Sequence, residues 1–204
     1  MKSGFLNHVK LKWKYYLLGI LVSFVISLIT ITTSSAPTRK EKISIFLSCY
    51  KTDYVFNDYI ESIKPDYIEI IEVRSIHKND LYYGTIIKGM RKTVDLFIVP
   101  ESKIDYIITK NCLELTDNMI DDLTDNNYDY YSVDGINYGL KIYNKDNHQG
   151  ILEDIVYFES GELEEDYYLF INNKSYHMGD YNNSKYDGLV NVLKEILKYE
   201  KQGS

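Results

Sequence analysis

The chain has 204 residues, 30 acidic against 23 basic, for a formal charge of −7, a length that accommodates one ordinary domain and a tail. Four lysines (Lys2, Lys10, Lys12, Lys14) precede Arg39 and no acidic residue precedes Glu41, so the remainder carries 19 basic against 30 acidic groups. A body of that sign argues against a nucleic-acid partner. Alanine occurs once, at Ala36, while Ile, Lys, Asn, Asp and Tyr abound. That is the coding bias of an AT-rich, low-GC bacterium, and it discounts the 21 tyrosines as a binding signal.

Tyr15 to Thr33 is a run of 19 residues without a charge, long enough at about 1.5 Å per residue to cross a bilayer core of about 30 Å. The lysines before it, with Trp13, Tyr15 and Tyr16 at the boundary, place residues 1–14 in the cytoplasm and the body outside. The rival is a cleaved signal peptide. Ser34-Ser35-Ala36 has the small residues a peptidase needs, but Pro37 would follow the cut and the run exceeds a usual signal core. The expectation is therefore an uncleaved anchor over 15–33, a linker over 34–42 and an extracytoplasmic domain over 43–204. No cysteine lies near the run, so lipid modification there is not expected.

Ile43 to Leu47 reads as a strand buried on both faces, as does Val94 to Pro100; such strands belong to parallel sheets covered by helices. Between them, Asp53 can cap a helix over Tyr54–Lys64, and Pro65 stops it. Tyr67–Val73 alternates as a strand, and Asp80 can cap a helix over Leu81–Lys92. The resulting β-α-β-α-β order puts three strands in one parallel sheet. Lys103–Cys112 can form a helix, and Leu115–Asn127 a short acidic one. Tyr130–Tyr143 carries Asp134-Gly135 between two β-rich arms, a strong hairpin signal. Residues 151–158 are of uncertain type. Tyr167–Ile171 is another buried strand, and Ser184-x-x-Asp187 resembles a capping box opening a last helix with Leu189, Val192, Leu193, Ile196 and Leu197 as its apolar stripe.

Little in the chain carries chemistry. Cys49 and Cys112 could pair if the body is exported, but spacing cannot show it, and two free thiols are expected. His8, His77, His148 and His177 have no ligand spacing, so no metal is expected; His177 and Asp180 read as a loop pair. Asp125-x-Asn127-x-Asp129 starts like a calcium loop, but Tyr130 replaces the glycine and Ile136 the closing glutamate. Glu162–Asp166 reads as a solvated acidic turn. No phosphate loop or nucleophile elbow occurs, so neither an enzyme nor a cofactor is expected. The sequons at Asn173 and Asn182 would matter only in a eukaryotic secretory pathway.

The segment Val133-Asp134-Gly135-Ile136-Asn137-Tyr138-Gly139-Leu140 resembles the Asp-Gly-x-x-Tyr-Gly segment of extracellular solute-binding proteins that serve ABC importers, where it leads from the first lobe towards the second. The strand ending in Cys49-Tyr50, the Asp95–Pro100 strand with Glu101, and a late strand followed by an amphipathic helix extend the resemblance over roughly 43–199. It implies a three-layer α/β domain with a mostly parallel sheet, like one lobe of that family. Only some 20 residues separate Asn144 from Asp166, so a second lobe of a hundred or more residues has no room, and a membrane helix replaces the usual lipid-modified cysteine. The expected function is binding of a sugar or other small polar solute beside an ABC permease. Strand ends would supply the site: Tyr50 and Asp53 after the first strand, Tyr83 after the second, Glu101 after the third. The alternative is a protein–protein interaction module at the cell surface.

Overall fold

A computed structural model describes residues 2–34, 37–107, 109–124, 128–157 and 164–199. It divides into two compact units, residues 1–37 and 38–204.

The first unit is one helix, α1 (Lys2–Ser34). Its stretch Lys12–Ile31 has a mean hydropathy of 2.0 and buries nothing against protein. Helices of a soluble fold hide such a face; this one displays Leu17, Ile20, Phe24 and Ile29 all round. It is long and apolar enough to span a membrane or to be a signal sequence.

The second unit runs β1 (Lys42–Leu47), β2 (Lys51–Thr52), α2 (Tyr54–Ser62), β3 (Ile70–Ser75), α3 (Tyr83–Met90) and β4 (Leu96–Pro100). It continues with α4 (Asp117–Leu123), β5 (Tyr130–Val133), β6 (Ile136–Tyr143), α5 (Leu152–Ile155), β7 (Val156–Tyr157), β8 (Tyr167–Ile171) and α6 (Gly188–Leu197). The main sheet has the order β3-β1-β4-β8-β6-β5. β1 pairs parallel with β3 and β4, whereas β4–β8, β8–β6 and β6–β5 are antiparallel. The expected mostly parallel sheet is thus corrected to a mixed one, parallel only along the β3-β1-β4 side. A β-α-β crossover can make only that half; the rest comes from a hairpin and a late strand entering between β4 and β6.

Period-two alternation divides the core between the two faces. Ile43, Ile45, Leu47, Leu96, Ile98, Leu169 and Ile171 face α2, α4, α5 and α6, while Phe46, Phe97, Val99 and Phe170 face α3. The three expected layers are present. The hairpin also forms as read: Asp134 and Gly135 both take positive φ, 51° and 80°, and Val133 pairs with Ile136. Gly139 has a separate cause, since a Cβ there would lie 2.7 Å from the Phe170 ring. Both glycines of the Asp-Gly-x-x-Tyr-Gly segment are therefore explained by local packing.

Three readings of elements are corrected. Lys103–Cys112 is not an α-helix. Its described residues form two short 3-10 turns, Glu101–Tyr106 and Thr109–Asn111, as Ile104 and Ile107 plug the sheet. The second strand begins at Ile70 rather than Tyr67, because Tyr67 leaves the sheet and its hydroxyl oxygen accepts a hydrogen bond from the Gly188 N–H at 2.6 Å. That contact caps α6, and the proposed box does not form: Ser184 Oγ bonds the Tyr176 carbonyl, and Asp187 makes no side-chain cap. The calcium-like and acidic stretches lie partly outside the described residues.

Candidate functional site

Parallel strands end together at one edge of the sheet, and here that edge collects the charges. β1 ends at Leu47 and is followed by Ser48, β4 ends at Pro100 and is followed by Glu101, and β8 begins there after Asp166. Glu101 N–H donates to the Asp166 carbonyl at 2.9 Å, and Ser48 N–H to the Ile98 carbonyl at 2.8 Å. Because α2 and α3 pack on opposite faces, the chain turns in opposite directions from β1 to β3 and from β3 to β4. The junction of β1 and β4 is thus the switch point where open α/β sheets leave a crevice.

A polar cluster occupies this junction. Lys78, from the loop after β3, has a side chain 8% exposed and reaches Glu165 at 2.6 Å. The second oxygen of Glu165 accepts the Ser102 N–H at 3.0 Å. Burial opposes the charge of Glu165, but the bonds from Lys78 and Ser102 outweigh it and hold the carboxyl below its usual range. The Tyr83 hydroxyl lies beside Ser48 Oγ and within the field of Glu165; burial pushes its ionisation well above the ordinary tyrosine range. Both residues are buried, Ser48 fully and Tyr83 to 3% exposure. Among the described residues, neither hydroxyl finds a hydrogen-bond partner of ordinary geometry. The Lys103 ammonium sits 5.4 Å above the Tyr83 ring.

Farther along the edge, Asp166 is held by Lys141 Nζ at 2.9 Å and the Lys145 N–H at 2.9 Å. Burial again opposes, and these contacts lower its pKa. Beside them lies an open depression of about 230 Å³ lined by Tyr128, Asp129, Lys141, Ile142, Asn144, Gln149 and Gly150. Residues 144–157 fold back over the same edge: β7 pairs antiparallel with β2, and Leu152 and Ile155 enter the core.

The four residues singled out in the sequence meet different fates. Tyr50 is exposed at 56%, and Glu101 is exposed where β4 ends. Asp53 is 1% exposed and its carboxylate accepts the Val55 N–H at 2.8 Å, capping α2. Tyr83 is buried against Phe46 and Tyr106. Tyr50 and Glu101 are accessible to a solute; Asp53 and the Tyr83 ring are committed to the fold. Lys78, Glu165 and Ser48 were not foreseen. Lys78 sits in a stretch that reads as plain polar loop, and its partner lies 87 residues away, a separation no local pattern signals.

A second buried polar cluster lies at the opposite edge. Ser44 N–H donates to Asp95 at 2.8 Å, and His177, fully buried, places Nε2 3.2 Å from the Arg39 carbonyl and 3.1 Å from that of Lys42. Two carbonyl acceptors require a hydrogen on Nε2. Asp180 takes no part, so the expected His177–Asp180 pair is replaced by an anchor for residues 39–42. Burial drives the Asp95 pKa up, against the Ser44 N–H, the Ser175 hydroxyl and the nearby Arg39. This cluster is closed to solvent and serves the fold. Cys49 and Cys112 form no disulfide with each other, and both are buried. No group of residues suited to a metal ion occurs among the described residues. Compared with known family models and with curated proteins, the chain matches none.

Proposed function

We propose that the chain is a membrane-anchored, extracytoplasmic α/β protein that binds a small polar solute at the carboxyl edge of its parallel strands. The observation that carries this reading is the polar cluster at the β1–β4 junction, where the buried Ser48 and Tyr83 hydroxyls face each other without ordinary hydrogen-bond geometry beside a paired lysine and carboxylate. A buried hydroxyl without a well-formed hydrogen bond costs about 1–3 kcal/mol, which a polar solute bound there would recover. The resemblance to extracellular solute-binding proteins of ABC importers supports the same edge and adds the permease as partner. Transport follows only from that resemblance.

The chain leaves the sheet after β6 and returns as β8 within the same compact unit. With one wall, a ligand is enclosed far less than the usual 70–90%. The expected affinity is accordingly weak, on the order of 0.1–1 mM. Calorimetry of the full chain in detergent against sugars, amino acids and oligopeptides tests this. Tyr50→Ala combined with Glu101→Ala should remove the binding and leave the thermal melt nearly unchanged, because both side chains are exposed. Sub-micromolar binding by a monomer would overturn the one-walled reading.

A second reading, a docking module for a surface protein, is favoured by Leu81 and Tyr82, exposed at 87% and 65% in the loop that carries Lys78. No heat with any solute, together with a protein crosslinked through that loop, would put this reading first. Adjacent permease and ATPase genes would favour transport.

A further inference from the structure

Resting on that reading, we infer that the junction of β1 and β4 is a carboxylate-binding site, held shut by the chain's own Glu165 side chain. The cluster is rich in donors. Lys78 supplies an ammonium, Ser102 a backbone N–H, and Ser48 and Tyr83 two buried hydroxyls that face each other, with the Lys103 ammonium above the Tyr83 ring. Against these stand one half-buried carboxylate, that of Glu165, and the exposed Glu101 at the rim. Glu165 spends one oxygen on Lys78 at 2.6 Å and the other on Ser102 N–H at 3.0 Å. That is the geometry by which a carboxylic acid in solution would be held: one oxygen on an ammonium, one on an amide.

A purely structural ion pair accounts for Lys78 and Glu165 but not for Ser48 and Tyr83, whose buried hydroxyls face each other beside it without a hydrogen bond of ordinary geometry. An incoming ligand carrying a hydroxyl or amine next to its carboxylate satisfies both. A short organic acid of that kind, rather than a neutral sugar, is the solute class the donors select. Glu165 competes as a tethered ligand. If it fills the site nine-tenths of the time, an outside carboxylate binds about tenfold more weakly than it would to the open site.

The test uses the full chain in detergent micelles and acetate and lactate as probes, with glucose as the neutral control. Glu165→Gln keeps the shape but removes the competing charge. It should bind acetate about tenfold more tightly than the wild type, bind lactate more tightly still, and gain more in melting temperature from either. Lys78→Met added to Glu165→Gln should cancel that gain. Equal acetate affinity in wild type and Glu165→Gln, with glucose binding retained, would overturn the carboxylate site and leave solute binding at this edge standing. No binding of any probe to either protein would overturn both. A cooperative melt confirms that each variant is folded. If Glu165→Gln does not fold, carbon-13 NMR of the wild type decides. Saturating lactate should shift the Glu165 carboxyl resonance as the side chain is displaced, and an unmoved resonance refutes the inference.

Discussion

Phe97 illustrates what a single residue contributes to this fold. It is 1% exposed in the middle of β4 and packs on Phe46, ring centroids 6.1 Å apart. Phe97→Ala should lower unfolding stability by about 3–5 kcal/mol, read by denaturant titration, because it loses transfer energy and leaves a cavity beneath α3. The buried strand and this residue were legible in the sequence, since four consecutive apolar residues, Leu96 to Val99, closed by a proline have few other structures open to them. Asp53 was half legible. Its position before a helix announced a cap, and the cap consumes the carboxylate that a binding role would need. Tyr83 was less legible: a tyrosine at a strand end has the chemistry to meet a solute, but periodicity does not say that its ring turns into the core against Phe46. Cys112 makes a prediction of its own. Burial pushes its thiol up to about 12, so the thiolate that reacts is almost absent at neutral pH. Neither Cys112 nor the buried Cys49 should be alkylated by iodoacetamide in the folded protein, and both should react once it is unfolded.

At the level of elements, local signals predicted existence well and boundaries less well. The hairpin, α2 and α6 follow from turn chemistry and helical spacing, which act over a few residues. What escaped is set by partners far away in sequence. The start of β3 is decided by Tyr67, whose hydroxyl is drawn 121 positions along the chain to the first turn of α6. An Asp at a helix start looks like a cap in any sequence; a tyrosine hydroxyl supplied from another element looks like nothing. Tyr67→Phe should therefore cost about 1 kcal/mol, the usual worth of one buried hydrogen bond at a helix start. Hydrogen exchange at Gly188 should rise more than at amides in the middle of α6. After β4, Ile104 and Ile107 enter the core from 3-10 geometry, although an α-helix would also bring residues three apart to one face, so their spacing alone does not distinguish the two.

The whole second unit is tied at its carboxyl edge by two neighbouring carboxylates, Glu165 and Asp166, each held by a lysine from another element. Both have pKa values below the ordinary range in the folded protein. Carboxylates of this kind stabilise the fold above their unfolded value, roughly pH 4, and that contribution disappears as pH falls through the lower, folded value. Asp95 acts in the opposite sense. Its raised pKa favours the fold in acid and loses that advantage as pH climbs from about 4 towards the folded value. The net melting curve of the wild type mixes these signs, so a difference between proteins isolates Glu165. Gln at position 165 resembles a protonated glutamate in shape and charge. At pH 7, Glu165→Gln should therefore melt lower than the wild type by several degrees. The charge-assisted bonds to Lys78 and Ser102 are worth about 1–3 kcal/mol, and each kcal/mol moves a domain of this size by roughly 2–4 °C. The gap should narrow below about pH 4 and close once the wild-type carboxyl is itself protonated. Melting followed by the near-ultraviolet circular dichroism of the tyrosines reads this directly, because that signal reports their packing in the folded body. A gap that stayed constant from pH 7 to pH 3 would mean the effect is one of packing, with no ionised Glu165 beneath it.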